Sequence, residues 1–308
     1  GFRHYDKDVV EITLKEFVKH GITKIRFFDA LNDIENLELP ESIKNAQGIV
    51  LEGAICFCHY ADAPARYTDD YFCSYTRTLL DAGYNAIAIK DMSGQLTAER
   101  IATLVPALQE ILKPANIPLT LHCPSTNAEK SQAAIAKATE YQIHAIETCE
   151  GVIAGGSAHH ALSAVAPSMI KDHPSYRHLS DVISRIWGNH PDRKDIAIPQ
   201  DLKEQLCAAG VPGGAMSFVI QDLKQQESAI RAKHQSSNKT SDKDGDLYDF
   251  STIVDLFIRE LKRVCQDAGL PLLVTPTADI CCKQAIANLA ISNDPFADTL
   301  ADRYLNRS

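Results

Sequence analysis

The stretch YNAIAIKDMSG, Tyr84 to Gly94, decides the fold. Its centre, AIAI, is uninterrupted apolar chain, the composition of a strand buried on both faces, and it breaks off at Lys90 and Asp91. Four further segments end in the same way. TKIRFFDALND reaches Asp29, LEGAICFCHY ends near Cys58, IPLTLHCPST reaches His122, and IHAIETCEG reaches Glu147 and Thr148. The ends fall roughly thirty residues apart, the length of one strand-plus-helix unit in an eight-fold barrel.

The intervening segments have helical period. Val10, Leu14, Phe17 and Val18 share a face before Gly21, and Phe72, Tyr75, Leu79 and Leu80 share one before Gly83. Thr97 is placed to cap a third helix carrying Ile101, Leu104, Val105 and Leu108. Apolar strands alternating with amphipathic helices predict an α/β fold with a parallel sheet covered by helices, a TIM-type (β/α)8 barrel. The sequence begins at Gly1 and holds five such units, so the barrel is expected to lack its first strands. Residues 1–165 form this partial barrel. From 166 to 308 the period is lost, and a mainly helical C-terminal domain is expected, with a mobile polar loop near 233–246.

Composition narrows the function. A net charge of -9 provides no basic stripe for a phosphate backbone, which argues against nucleic-acid partners, and no apolar run is long enough for a membrane span. Nine cysteines without a secreted-domain pattern suit reduced thiols in a cytoplasmic compartment. Cys56 and Cys58 form the only C-x-C, where a strand would point both thiols the same way.

In such a barrel the carboxyl ends of the strands form the active face, so Asp29, Lys90, Asp91, His122 and Thr148 are expected to converge on one mouth. Four of these have a plainer alternative. Asp29 and Asn32 would serve equally well as caps of the following helix, and Asp91 as a partner that holds Lys90 in place. Lys90 and His122, taken alone, would be a solvated strand-end lysine and a half-buried histidine.

Six collinear stretches, GFRHYDKDVV, IRFFDALND, AIAIKDMSG, LTLHCPST, VPGGAMSF and PLLVTPTADICCKQAIANL, resemble the carboxyltransferase domains of biotin-dependent enzymes. Those include the oxaloacetate decarboxylase alpha subunit, pyruvate carboxylase and transcarboxylase. The resemblance implies carboxyl exchange between pyruvate or oxaloacetate and a carboxybiotin carried by a partner domain or subunit, at a divalent metal of the zinc or manganese class. It also implies a homo-oligomer. Lys90 matches the lysine that is carbamylated and ligates the metal, and His122 matches the first histidine of a strand-end H-x-H pair. Ser157, in AGGSAHH, lies near the position of a hydroxyl that carries a proton to or from biotin.

The sequence departs from this pattern at the metal. Pro124 stands where the second histidine is expected and has no donor nitrogen, and a further metal aspartate belongs to a strand earlier than any here. His59, His159 and Cys123 are the candidates to compensate, Cys123 being the weakest because alternation points it away from His122. His159 and His160 are adjacent, so only one of them is expected to face the site. A degenerate, non-catalytic relative that serves as a binding or assembly module is the competing reading.

Overall fold

The computed structural model describes residues 5–156, 158–170, 173–188, 198–237 and 250–291. Its centre is a five-stranded, all-parallel sheet whose spatial order follows the sequence: β1 (Lys24–Phe27), β2 (Val50–Phe57), β3 (Ala86–Asp91), β4 (Leu119–His122) and β5 (Ala145–Ile146). Among the described residues β1 and β5 are edges and do not pair with each other, so the barrel is open.

Alternation along the strands separates two faces. Leu51, Gly53, Ile55 and Phe57 of β2 point outward to the helix Asp69–Asp81. Phe57 stacks on Phe72 with ring centroids 5.4 Å apart. A Cβ on Gly53 would lie 3.0 Å from Leu79, so the helix approaches the strand where only glycine leaves room. Ile87, Ile89, Leu119 and Leu121 continue this face and are at most 3% exposed.

The expected helices form with their expected registers. Thr68 and Thr97 cap the helices Asp69–Asp81 and Ala98–Leu112 through hydrogen bonds accepted from Tyr71 and Arg100 backbone N–H groups. Phe72, Tyr75, Leu79, Ile101, Leu104, Val105 and Leu108 are all buried. The first helix, Lys7–Lys19, differs. Of its apolar positions only Leu14 is buried; Val18 packs half-buried against the core, while Val10 and Phe17 stay exposed.

The C-terminal part is helical as expected, with Pro174–Trp187, Gln200–Ala208, Gly213–Ser237, Phe250–Asp267 and Thr277–Ile291 as its main elements. The polar stretch expected as a loop from 233 begins as helix, since Gly213–Ser237 runs five residues into it. The remainder of that stretch, 238–246, lies outside the described residues.

One hydrophobic cluster joins the sheet layer to these helices. Polar contacts fix the same junction. The Tyr60 and Tyr67 hydroxyls donate to the carbonyls of Pro271 (2.6 Å) and Leu270 (2.7 Å). In the VPGG turn, the Gly213 N–H donates to the Met92 carbonyl at 3.1 Å, so the helix that follows starts against the end of β3. Among the described residues no single helix is long and apolar enough to cross a membrane.

Candidate functional site

The inner face of the sheet carries the chemistry. Parallel register places Arg26 beside Glu52, Cys56 beside Lys90 and Lys90 beside His122. The Glu147 N–H donates to the Leu121 carbonyl at 3.0 Å, extending the β4–β5 alignment by one residue and bringing Glu147 level with His122. Alanines 54, 86 and 88 line the floor, and the small side chains leave room for long polar ones above them.

Those side chains form one connected network. Glu52, fully buried, accepts from Lys24 (2.7 Å), Thr120 (2.7 Å) and Arg26. Arg26 extends to Glu147 Oε1 at 2.5 Å. The other oxygen, Oε2, lies 2.5 Å from His122 Nδ1 and 3.5 Å from His159 Nε2. Burial alone would raise the Glu147 carboxyl; the hydrogen bonds from His122 and Arg26 outweigh it and hold the pKa at about 2. Burial lowers the His122 pKa, and the Glu147 carboxylate opposes that only in part.

Lys90 is 8% exposed, and its ammonium sits 4.7 Å from the centre of the Phe28 ring. Burial lowers its pKa. Of the inner-face cations, Lys24 and Arg26 are committed to Glu52 and Glu147, whereas among the described residues no ion pair reaches Lys90.

The other described sequence candidates lie at or just past the ends of these strands. Asp29 caps its own loop: one carboxylate oxygen accepts from the Leu31 (2.8 Å) and Asp33 (3.0 Å) N–H groups and the other from Asn36. Asn32, at φ 54°, pairs its amide with both backbone groups of Cys56, at 3.0 and 2.9 Å. Asp91 accepts from the N–H groups of Ser93, Gly94, Gln95 and Leu96, which shapes the turn after β3. Thr148 is half-buried after Glu147. Ser157 lies outside the described residues. Burial pushes the thiols of Cys56 and Cys58 up to about 12, so the C-x-C pair is held as neutral thiols.

The structure also separates the three compensating candidates. His59 is exposed and is joined through its backbone to Gln95. Cys123 is fully buried on the outer face. His159 alone reaches the cluster, with its ring 4.4 Å from that of His122 and edge-on to it. His160 turns to the Ser131 hydroxyl, 2.6 Å away. One ligand atom from each of His122, Glu147 and His159 falls within 4.8 Å of the others. Two imidazoles and a carboxylate suit a divalent metal, so this donor set fits the ion the resemblance implies. Sequence reasoning placed Thr148 at the mouth and passed over Glu147, Arg26 and Glu52. The signal was available in the alternation Lys24-x-Arg26 and in Glu52, a charge on an otherwise apolar strand.

Comparison with known proteins follows the same line, although no family model matches the chain. A pyruvate carboxylase subunit of Methanothermobacter thermautotrophicus is 26% identical over 296 residues, covering 94% of this chain and 47% of the relative. The methylmalonyl-CoA carboxyltransferase 5S subunit of Propionibacterium freudenreichii is 25% identical over 313 residues, covering 99% of this chain and 56% of that protein. The chain thus spans about half the length of these curated relatives. Among solved structures, the carboxyl transferase domain of Rhizobium etli pyruvate carboxylase with pyruvate superposes with a TM-score of 0.74 at 20% identity, covering 94% of this chain and 46% of that one. In sequence the chain is similar to subunits of pyruvate carboxylase and of a transcarboxylase, and its fold is that of the carboxyltransferase domain, a TIM-like barrel.

Proposed function

We propose that this chain is the carboxyltransferase part of a biotin-dependent enzyme, exchanging carboxyl between oxaloacetate or pyruvate and a carboxybiotin brought by a carrier domain or subunit. The observation that carries the reading is the polar inner face of the open barrel, with the buried cation Lys90, which no ion pair reaches among the described residues, beside the His122–Glu147–His159 cluster. A small oxo acid dianion is the substrate class that such a face attracts.

Lys90 would receive the substrate carboxylate, since a desolvated ammonium binds an anion more strongly than an exposed one does. Arg26 holds Glu147 in place through Oε1 and keeps the carboxylate ionised. A metal held by the cluster would supply Lewis-acid polarisation of the substrate carbonyl. The Ser157 hydroxyl is assigned the proton transfer at biotin, with Asp29, Asn32, Asp91 and Thr148 shaping the mouth. We further assign the barrel to 1–165 and the helical domain to 166–308, and place the protein as a homo-oligomer in the cytoplasm, a setting supported by its nine free cysteines.

The test is oxaloacetate decarboxylation by the purified protein with added biotin and a biotin carrier protein. The expected outcome is biotin-stimulated pyruvate formation that Lys90→Ala abolishes in a folded variant. Oxaloacetate binding without turnover would favour the binding-module reading, to which Pro124 lends support.

A further inference from the structure

The residue that breaks the metal-binding pattern also positions its replacement. Pro124 forms an isolated antiparallel bridge with His159, which ties His159 to the end of β4. Two more backbone bonds hold the residues beside it, one to the strand end and one within the loop. The Ser125 N–H donates to the Ala158 carbonyl at 2.7 Å, and the Gly155 N–H donates to the His159 carbonyl at 2.8 Å. The His159 imidazole is therefore delivered to the strand end from a loop 35 residues downstream of Pro124.

The orientation of that ring is chemically defined. His159 Nδ1 lies 3.0 Å from the Cys123 carbonyl oxygen. A carbonyl only accepts, so Nδ1 donates to it, which leaves Nε2 as the nitrogen through which the neutral ring would ligate. Nε2 is the nitrogen that faces Glu147 Oε2, at 3.5 Å. A ligating histidine commonly gives its other N–H to a backbone carbonyl, and the carboxylate ligand is itself hydrogen-bonded. Arg26 fills that second role at Glu147 Oε1.

We infer that His122, Glu147 and His159 form a rebuilt divalent-metal site in which His159 takes over from the imidazole that Pro124 cannot provide and Glu147 is the third donor. Two imidazoles and one carboxylate with an open fourth position select a zinc-class ion over magnesium, which prefers all-oxygen octahedral surroundings. Lys90, which the resemblance makes a carbamylated ligand, has its ammonium 4.7 Å from the Phe28 ring and is not needed to complete these three donors. The inference deepens the carboxyl-transfer reading, on whose metal it rests, yet metal binding is measurable without any turnover.

The experiment strips the purified chain with a chelator and titrates it separately with zinc and with magnesium, using calorimetry and elemental analysis, with circular dichroism to confirm folding. Wild type is expected to bind one zinc and to give no saturable magnesium isotherm. His159→Ala and Glu147→Gln are expected to weaken zinc by at least the roughly 100-fold that changes around a metal's own ligands already reach. His159→Cys keeps zinc, because a thiolate is also a zinc ligand. Lys90→Ala keeps the one-zinc stoichiometry. Unchanged affinity in either of the first two variants, loss of zinc in Lys90→Ala, or a folded wild type that binds none would overturn the inference. Stoichiometric zinc with no oxaloacetate turnover would leave this site standing and remove only the carboxyl-transfer reading.

Discussion

The two faces of the same five strands are built on opposite rules. Outward, Leu51, Ile55, Phe57, Ile87, Ile89 and Leu121 meet helices in an apolar layer from which water is excluded. Inward, Lys24, Arg26, Glu52, Thr120, His122 and Glu147 meet one another across a floor of alanine, and several remain partly open to water. One face therefore supplies cohesion, roughly in proportion to apolar area removed from water, and the other supplies charge at fixed positions. The difference implies that substitutions should separate cleanly into those that unfold the protein and those that alter its site.

The largest effect belongs to the outer face. Phe72 is fully buried and stacks on Phe57, so Phe72→Ala removes both an aromatic contact and the volume that fills the strand–helix layer. Loss of roughly 3–5 kcal/mol is expected from the transferred surface and the cavity left behind. A urea unfolding curve checks it. A shift of under 1 kcal/mol would mean that cohesion is not concentrated in this layer, and the contrast between faces would fail.

A middle-sized effect, dependent on pH, belongs to the inner face. Glu147 falls from an ordinary 4.5 to about 2 in the folded chain, so its partners favour folding above the ordinary value and that contribution fades as pH falls from about 4.5 toward 2. Because about a third of the side chain is open to water, the contribution is discounted to about 2 kcal/mol. Glu147→Gln in metal-free protein should flatten the stability–pH curve across that window. An identical acid limb in wild type and variant would mean that the Arg26–Glu147–His122 contacts are not maintained in solution.

The sequence carried the outer face well and the inner face poorly, for a physical reason. Helix registers such as Ile101, Leu104, Val105 and Leu108, and caps such as Thr97, are local patterns, visible over a dozen residues. The end of each strand was legible too, and Lys90 and His122 pair in register at neighbouring strand ends. Which side of a short strand faces inward is set by register against its neighbours. That left Arg26 and Glu52 unremarked and drew attention to Thr148 in place of Glu147. His159 depends on loop closure through its bridge to Pro124, which no spacing rule encodes. Periodicity likewise marked an apolar face on the helix Lys7–Lys19 without telling whether anything lies against it.

That helix offers the smallest effect and locates the edge of the outer layer. Ile12 is 61% exposed and Val9 47%, in contrast to Leu14 at 5%, although all three belong to one helix. Ile12→Glu therefore removes no buried surface within the chain and introduces a charge into water, and such surface changes stay within about 0.5 kcal/mol. Chemical denaturation at two protein concentrations tests this directly. Equal, near-wild-type stability at both would end the cohesive layer at Leu14. A loss above 1 kcal/mol that grows with protein concentration would show that another copy covers Ile12 in solution, because only an association gains strength with concentration. The outer layer would then extend across two chains, while the charged inner face would still belong to one.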